Sequence, residues 1–300
     1  MSDKNYYYSE IFNSIQGEGQ YTGVPTAWLR FFLCNLQCNG FGQKEPTKPE
    51  TYELPYQELD VSQYKTMDEL PVFEFGCDSS YSWAKKFKGL NNQGTPKEIA
   101  DKIRQCMVGP WNPQGKFNFN NSERHMCFTG GEPLMKHGQE CSVDIMKVYE
   151  EERDLPKFVT YETNGTQKLH DKFLQYYAEY RDVWGGELFL SVSPKLWSVA
   201  GEEAKRAIKP EVVASYQEVC HNGQLKFVIN GTDESWSELD DVIAEFRYHG
   251  VDWPIWIMPA GATVEGQKIC DADVATEAFN RGYNVSARVH TYLWGNKIGV

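Results

Sequence analysis

Long apolar stretches, an excess of positive charge and a disulfide-scaffold composition are all missing from this chain. No run reaches the ~18 apolar residues that a membrane-spanning helix needs. The opening residues MSDKNYYYSE carry neither the basic nor the apolar region of a secretory leader. Membrane insertion and secretion are therefore not expected. Thirty Lys and Arg stand against 42 Asp and Glu, a formal charge of -12. Such a chain repels phosphate backbones and has no basic patch to offset this, so no direct nucleic-acid partner is expected. Eight cysteines could pair, but 300 residues at 41% hydrophobic and 14% aromatic build a core without staples. Reduced thiols, a cytoplasmic location and one globular domain over 1–300 are the expectation. No internal repeat or low-complexity tract competes with that reading.

What is present centres on Ala27 to Cys38, AWLRFFLCNLQC, where a strand-like run ends in two cysteines. Three residues between thiols is too wide for a CxxC redox or zinc pair, and matches the first two ligands of an iron-sulfur CxxxCxxC motif. Phe41 occupies the third position. Either the motif is accidental or a third thiolate comes from further along the chain, with Cys77, which opens CDSSYSW, as the candidate and Cys127, close to GGEP, as its rival. Between Cys38 and Cys77, residues 39–76 contain Pro46, Pro49, Pro55 and Pro71 and no sustained period, which reads as an irregular insertion. Val72, Phe73 and Phe75 pin its end to the body. Upstream, Gln16-Gly17-Glu18-Gly19 forms a polar loop with unusual backbone freedom. In the run from Thr26 to Leu33, alternation places Trp28, Arg30 and Phe32 on one face. Arg30 there either pairs with an internal carboxylate or awaits an anionic ligand.

Downstream the pattern becomes regular. Thr95-Pro96-Lys97-Glu98 is a capping box ahead of Ile99, Ile103 and Met107, and Ser142 is a candidate cap for the next helix. Further helices are expected over 168–181, from Pro210 towards Gly223, over 233–249 and over 272–281. Strands are expected at HMCFT, FVTYE, ELFLSVS, QLKFVI, PIWIM and NVSARVH (284–290). With the run before Cys34 this makes about seven strands alternating with helices, an α/β chain with a parallel sheet. An incomplete or irregular parallel (β/α) barrel is expected, with an open doubly wound sheet as the alternative. In either, the loops after the strands gather at one mouth: CNLQC, GGEP, ETNG, SPK, MPAG and the tail HTYLWGNKIGV.

Three thiolates on a [4Fe-4S] cluster leave one iron open, able to chelate a small molecule through amine and carboxylate, which is the chemistry of S-adenosylmethionine. SIQGEG, WLRFFLCNLQC, CDSSYSW, FTGGEP, YETNG, SVSPK, MPAG and RVHTYLWGNKIGV together resemble the radical S-adenosylmethionine enzymes and, within them, the 7-carboxy-7-deazaguanine synthase family, nearly end to end. The resemblance implies that family's modified barrel, with 39–76 as an insertion between the second and third cluster cysteines and 284–300 closing the substrate site. It implies Cys34, Cys38 and Cys77 as cluster ligands, and Cys106, Cys127, Cys141, Cys220 and Cys270 as ordinary buried thiols. Ser79 stands where the family has threonine in CDTxYxW, and its hydroxyl matches the magnesium ligand. Around S-adenosylmethionine the resemblance places Asp78 beside Gly130, Gly131 and Glu132. Glu162, Asn164, Ser193, Pro194 and Lys195 follow, with Met258 and Pro259 near the adenine.

The implied substrate is 6-carboxy-5,6,7,8-tetrahydropterin. Arg30 would bind its carboxylate. Ile15, Gln16, Gly17 and Glu18 would read the pterin edge with Thr129 and His290, joined by the terminal carboxylate of Val300. The implied activity is a lyase reaction by radical ring contraction, giving 7-carboxy-7-deazaguanine and ammonia for a 7-deazapurine, queuosine-type pathway, with no general acid or base. An electron donor such as flavodoxin or ferredoxin and a homodimer are implied as partners. Rival readings are an activase of a glycyl-radical enzyme and a non-catalytic iron-sulfur module.

Overall fold

The computed structural model describes residues 4–119 and 122–299. Its framework is a nine-stranded sheet with a two-stranded ladder beside it. In chain order the strands are β1 (Tyr6–Ile15), β2 (Pro25–Phe31), β3 (Asn92–Gly94), the ladder pair β4 (Asn118–Phe119) and β5 (Ser122–Glu123), then β6 (His125–Gly130) and β7 (Phe158–Thr163). β8 (Glu187–Val192), β9 (Asn222–Ile229), β10 (Ile255–Pro259) and β11 (Asn284–Val285) complete the set. The large sheet runs β11-β10-β9-β8-β7-β6-β2-β1-β3. From β2 to β11 every pairing is parallel, and β1 and β3 are antiparallel at one edge.

Period-two alternation decides what each face does. Leu29, Phe128, Tyr161, Leu190, Phe227 and Ile257 point outward into the main core. There they meet Ile99 and Ile103 of the helix Pro96–Met107, Met146 of Lys136–Glu151, Phe173 and Tyr177 of Asp171–Asp182, and Leu239 and Phe246 of Asp233–Tyr248. Each such side chain stabilises by ~1.5–3 kcal/mol. The inward positions are polar: Arg30, Thr129, Glu162, Ser191 and Lys226 line a cavity. Helices thus cover one face only, unlike a doubly wound sheet. The sheet also curls. Drawn flat, β1 and β9 would lie five spacings apart, about 24 Å, yet Glu18, three residues past β1, is ion-paired with Lys226 of β9.

Two sequence expectations change, and one alternative is decided. The strand expected over 284–290 is only Asn284–Val285, because Ser286 N–H closes the ladder on the Ile257 carbonyl and Val289 N–H then goes to the Gly17 carbonyl. Val289–Trp294 is instead helical. Ser142 does not cap its helix, which begins at Lys136; the Ser142 hydroxyl donates to the Gln139 carbonyl. Arg30 does pair internally, with Glu10 directly across from it on β1. Residues 39–76 form only short helical turns and share a core of their own, in which Tyr56, Met67, Leu70 and Phe73 pack with Tyr81, Phe87 and Ile298. Among the described residues no helix is long and apolar enough to cross a membrane.

Candidate active site

The cavity, about 280 Å³, is built from both ends of the sheet. Because β1 runs against β2, the loop after it starts at the amino ends of the parallel strands. It passes under the sheet and forms a floor: Gly19 N–H donates to Ser286 Oγ (2.8 Å), Gln20 N–H to Gln224 Oε1 (3.0 Å), and the Tyr21 ring sets its edge against His125 and Phe189. At Gly17 a Cβ would stand 2.0 Å from His290 Nδ1, so a larger residue there would displace the His290 ring. The rim comes from the loops after β2, β6, β7, β8 and β10, as the parallel-sheet rule expects.

Several charges inside are paired. Glu18 pairs with Lys226 and with Arg288 Nε (3.1 Å). Arg288 Nη2 donates to Asp78 Oδ2 (2.8 Å), and its Nη1 to the carbonyls of Gly261 and Ala262 (3.1 Å each). Burial alone would raise the Glu18 carboxyl, but Lys226 and Arg288 together hold it well below the usual carboxylate range. Burial lowers His290, keeping its imidazole neutral near pH 7. Arg30 Nε donates to Glu10 Oε1 (2.6 Å) and its Nη1 to Ser79 Oγ (3.4 Å), while the Tyr81 hydroxyl donates to the same Glu10 oxygen (3.2 Å). Glu162 accepts from Gln16 Nε2 (3.2 Å) and the Thr129 hydroxyl (3.0 Å).

The thiols of Cys34, Cys38 and Cys77 all face this cavity, whereas Cys127 does not line it and is fully buried on β6 beside Trp28. Cys34 Sγ accepts from Leu36 N–H (3.4 Å) and Asn164 Nδ2 (3.8 Å). Burial pushes Cys34 up to about 12 and Cys77 to about 11, and Cys38 well above the ordinary thiol value. Left to themselves these thiols stay protonated; a metal centre would have to displace the protons. Leu33 and Cys38 adopt left-handed φ of 89° and 52°, so the loop is held in a shape that ordinary residues avoid. Among the described residues no three His, Cys, Asp or Glu side chains are gathered so as to hold a single metal ion. A cluster asks for something else, one thiolate per iron, and three thiols on one wall fit that requirement.

Of the other expected site residues, Ile15, Asp78 and Ser79 line the cavity, as do Gly130, Gly131 and Asn164. Ser193 and Lys195 also line it, joined by an Nζ to Oγ bond of 2.8 Å, and so do Met258 and Pro259. Pro194 and Glu132 are not part of the wall. Glu132 is instead a bracket between strand ends, its carboxylate accepting from Thr163 Oγ1 (2.7 Å), Asn164 N–H (2.7 Å) and Leu134 N–H (2.9 Å), with burial raising its pKa to about 7. Val300 lies outside the described residues. Sequence reasoning missed Lys226 and Arg288. Their signal was a lone cation at an inward position of QLKFVI and another beside His290.

No family model matches the chain. Proteins named 7-carboxy-7-deazaguanine synthase are similar to it almost throughout. The one from Rhodopirellula baltica is 24% identical over 99% of this chain and 90% of its own. Those from Halobacterium salinarum (26%, 96% and 90%) and Thermoplasma acidophilum (23%, 97% and 99%) align over similar lengths. The crystal structure of QueE from Escherichia coli superposes with a TM-score of 0.49 at 17% identity, covering 95% of each chain, and carries no part of the assignment. The relatives and the motifs agree: this chain is similar almost throughout to proteins named 7-carboxy-7-deazaguanine synthase.

Proposed function

We propose that the chain converts 6-carboxy-5,6,7,8-tetrahydropterin to 7-carboxy-7-deazaguanine and ammonia as a radical S-adenosylmethionine lyase, and that its curled sheet is an incomplete (β/α) barrel. One observation carries the reading: the CNLQC and CDSSYSW cysteines meet the QGEG floor, Arg30 and His290 at a single cavity. A [4Fe-4S] cluster held by Cys34, Cys38 and Cys77 would supply the electron that cleaves S-adenosylmethionine. The chain's own residues bind and orient. Arg30, fixed by Glu10, offers its charge to the substrate carboxylate. Gln16 and Thr129, oriented by Glu162, and the neutral His290 offer hydrogen bonds to the pterin edge. Asn164, Ser193 and Lys195 would hold the polar groups of S-adenosylmethionine, with Met258 and Pro259 against the adenine. Magnesium would take one protein oxygen, that of Ser79, and complete its shell with substrate and water, as this ion commonly does. A reductant of the flavodoxin or ferredoxin type, a second copy of the chain and use of the product in queuosine-type synthesis belong to the same proposal. A cavity floored by its own loop favours a small molecule over the polypeptide that an activase of a glycyl-radical enzyme would need.

The test is anaerobic reconstitution of the wild type and of Cys77→Ala and Cys127→Ala, followed by assay with carboxytetrahydropterin, S-adenosylmethionine, magnesium and reductant. The expected result is carboxydeazaguanine from wild type and from Cys127→Ala, with cluster and activity lost in Cys77→Ala. Cleavage of S-adenosylmethionine without turnover of the pterin would remove the substrate assignment. A wild type that takes up no iron would remove the cluster.

A further inference from the structure

The segment that follows the SPK loop is fastened to the cysteine loop at three points, Ala200, Glu202 and Arg206. Gly40 N–H donates to the Ala200 carbonyl (3.0 Å). One oxygen of Glu202 accepts from two consecutive amides, Gln37 N–H (2.6 Å) and Cys38 N–H (2.8 Å). Arg206 Nη2 donates to the Asn35 carbonyl (2.9 Å), and its Nη1 lies 3.9 Å from the other oxygen of Glu202. The Glu202 side chain is 5% exposed, while that of Arg206 is 57% exposed. A buried carboxylate, incompletely countered, thus rests on the backbone of Cys38. Nothing about holding the loop requires a charge there, because a carboxamide oxygen could accept the same two bonds.

We infer that Glu202 is a positioning residue for the cluster and sets its reduction potential low. The inference rests on the proposed cluster at Cys34, Cys38 and Cys77. Uptake of one electron from an external reductant adds one negative charge to the cluster and neither makes nor breaks a bond. A buried carboxylate beside a ligand opposes that added charge. It also engages the Gln37 and Cys38 amides, which could otherwise donate to sulfur. Both effects push the potential down, since net charge and hydrogen bonds to the sulfurs are among its main determinants. Cleaving a sulfonium demands a strong reductant, so a low potential suits the proposed chemistry.

The experiment is an electron-resonance redox titration of the reconstituted protein without S-adenosylmethionine, on wild type, Glu202→Gln and Arg206→Gln, with iron counted per chain. Glu202→Gln is expected to keep its iron and to raise the reduced-to-oxidised ratio at fixed poise about tenfold, ~59 mV for a one-electron couple. Arg206→Gln removes the counter-charge and is expected to shift the ratio the other way, by less because the side chain is solvated. A Glu202→Gln cluster titrating with wild type overturns the inference, and so do two variants that move in the same direction, which is the mark of a loosened loop. A wild type that binds no iron overturns the underlying assignment instead, and the inference falls with it.

Discussion

His125 opens β6 as a nearly buried imidazole, stacked on Phe158 (centroids 4.5 Å apart) and met by the edge of Tyr21 (4.8 Å). It marks where the floor loop is clamped to the sheet. Burial lowers its pKa from 6.5 to about 4. Between those values the unfolded chain binds a proton that the folded chain refuses, so stability rises with pH across the window. The sign is fixed: the contribution is complete above pH 6.5 and is lost as pH falls towards about 4. After allowance for solvent at the ring edge, the loss amounts to about 2 kcal/mol. His125→Phe keeps the stacking and has nothing to protonate. Denaturant melts of the two proteins at a series of pH values should diverge in this window, wild type losing stability and the variant less so. Parallel curves would mean that the ring is charged when folded. At the same scale, the charges of the site explain what a residue-by-residue reading leaves open. Whether Arg30 is spare or paired depends on the β1-β2 register that sets Glu10 opposite it.

Between elements, the contact that decides the site is the crossing of the β6 end over the β2 end. Glu132 N–H donates to the Leu33 carbonyl (2.9 Å), and Gly131 packs so tightly there that a Cβ would stand 2.2 Å from that oxygen and 2.9 Å from Cys34 Cβ. Backbone, unlike a flexible side chain, cannot swing aside. Gly131→Ala should therefore displace Cys34, cost ~1–3 kcal/mol by overpacking, and reduce iron bound after reconstitution. A variant that melts with wild type and takes up full iron would show that the two loops can separate at no cost. Legibility follows the same division by range. The capping box at Thr95 is real, with Thr95 N–H on Glu98 Oε2 (2.8 Å) and Glu98 N–H on Thr95 Oγ1 (3.3 Å), because its partners are three residues apart. The seven parallel strands were legible from alternation, and the rim loops follow from the strands. NVSARVH alternates like the others, but its ladder stops where Ser286 turns to Gly19, a partner 267 residues away that no local pattern announces. The floor could not be read from QGEG either, since it depends on the direction of β1.

At the scale of the whole molecule the described residues form three apolar clusters of unequal size, and the site lies where they meet. The main core joins the outer face of the sheet to the helices, and the smaller one joins the insertion to the segment after Cys77 and to Ile298 near the carboxyl end. Cys77 packs against the third cluster, Leu36, Cys38, Ala200 and Ala207, while Tyr81 and Ala84 just after it belong to the small core and Arg30, Thr129 and Lys226 stand on the sheet. Regions with few buried apolar contacts open at lower free energy than the global transition, so the two halves of the site should be separable. Phe87 is fully buried in the small core. Phe87→Ala removes ~3–5 kcal/mol of packing from a unit that has little to spare. The expected outcome by hydrogen exchange is loss of amide protection over the insertion and residues 80–90, with β6 to β10 protected as in wild type. The Cys77 thiol should then react faster with an alkylating reagent, while Cys127, on β6 in the sheet, stays inert. Uniform loss of protection across both cores would instead make the insertion part of a single cooperative unit, with the third thiol held as firmly as the sheet itself.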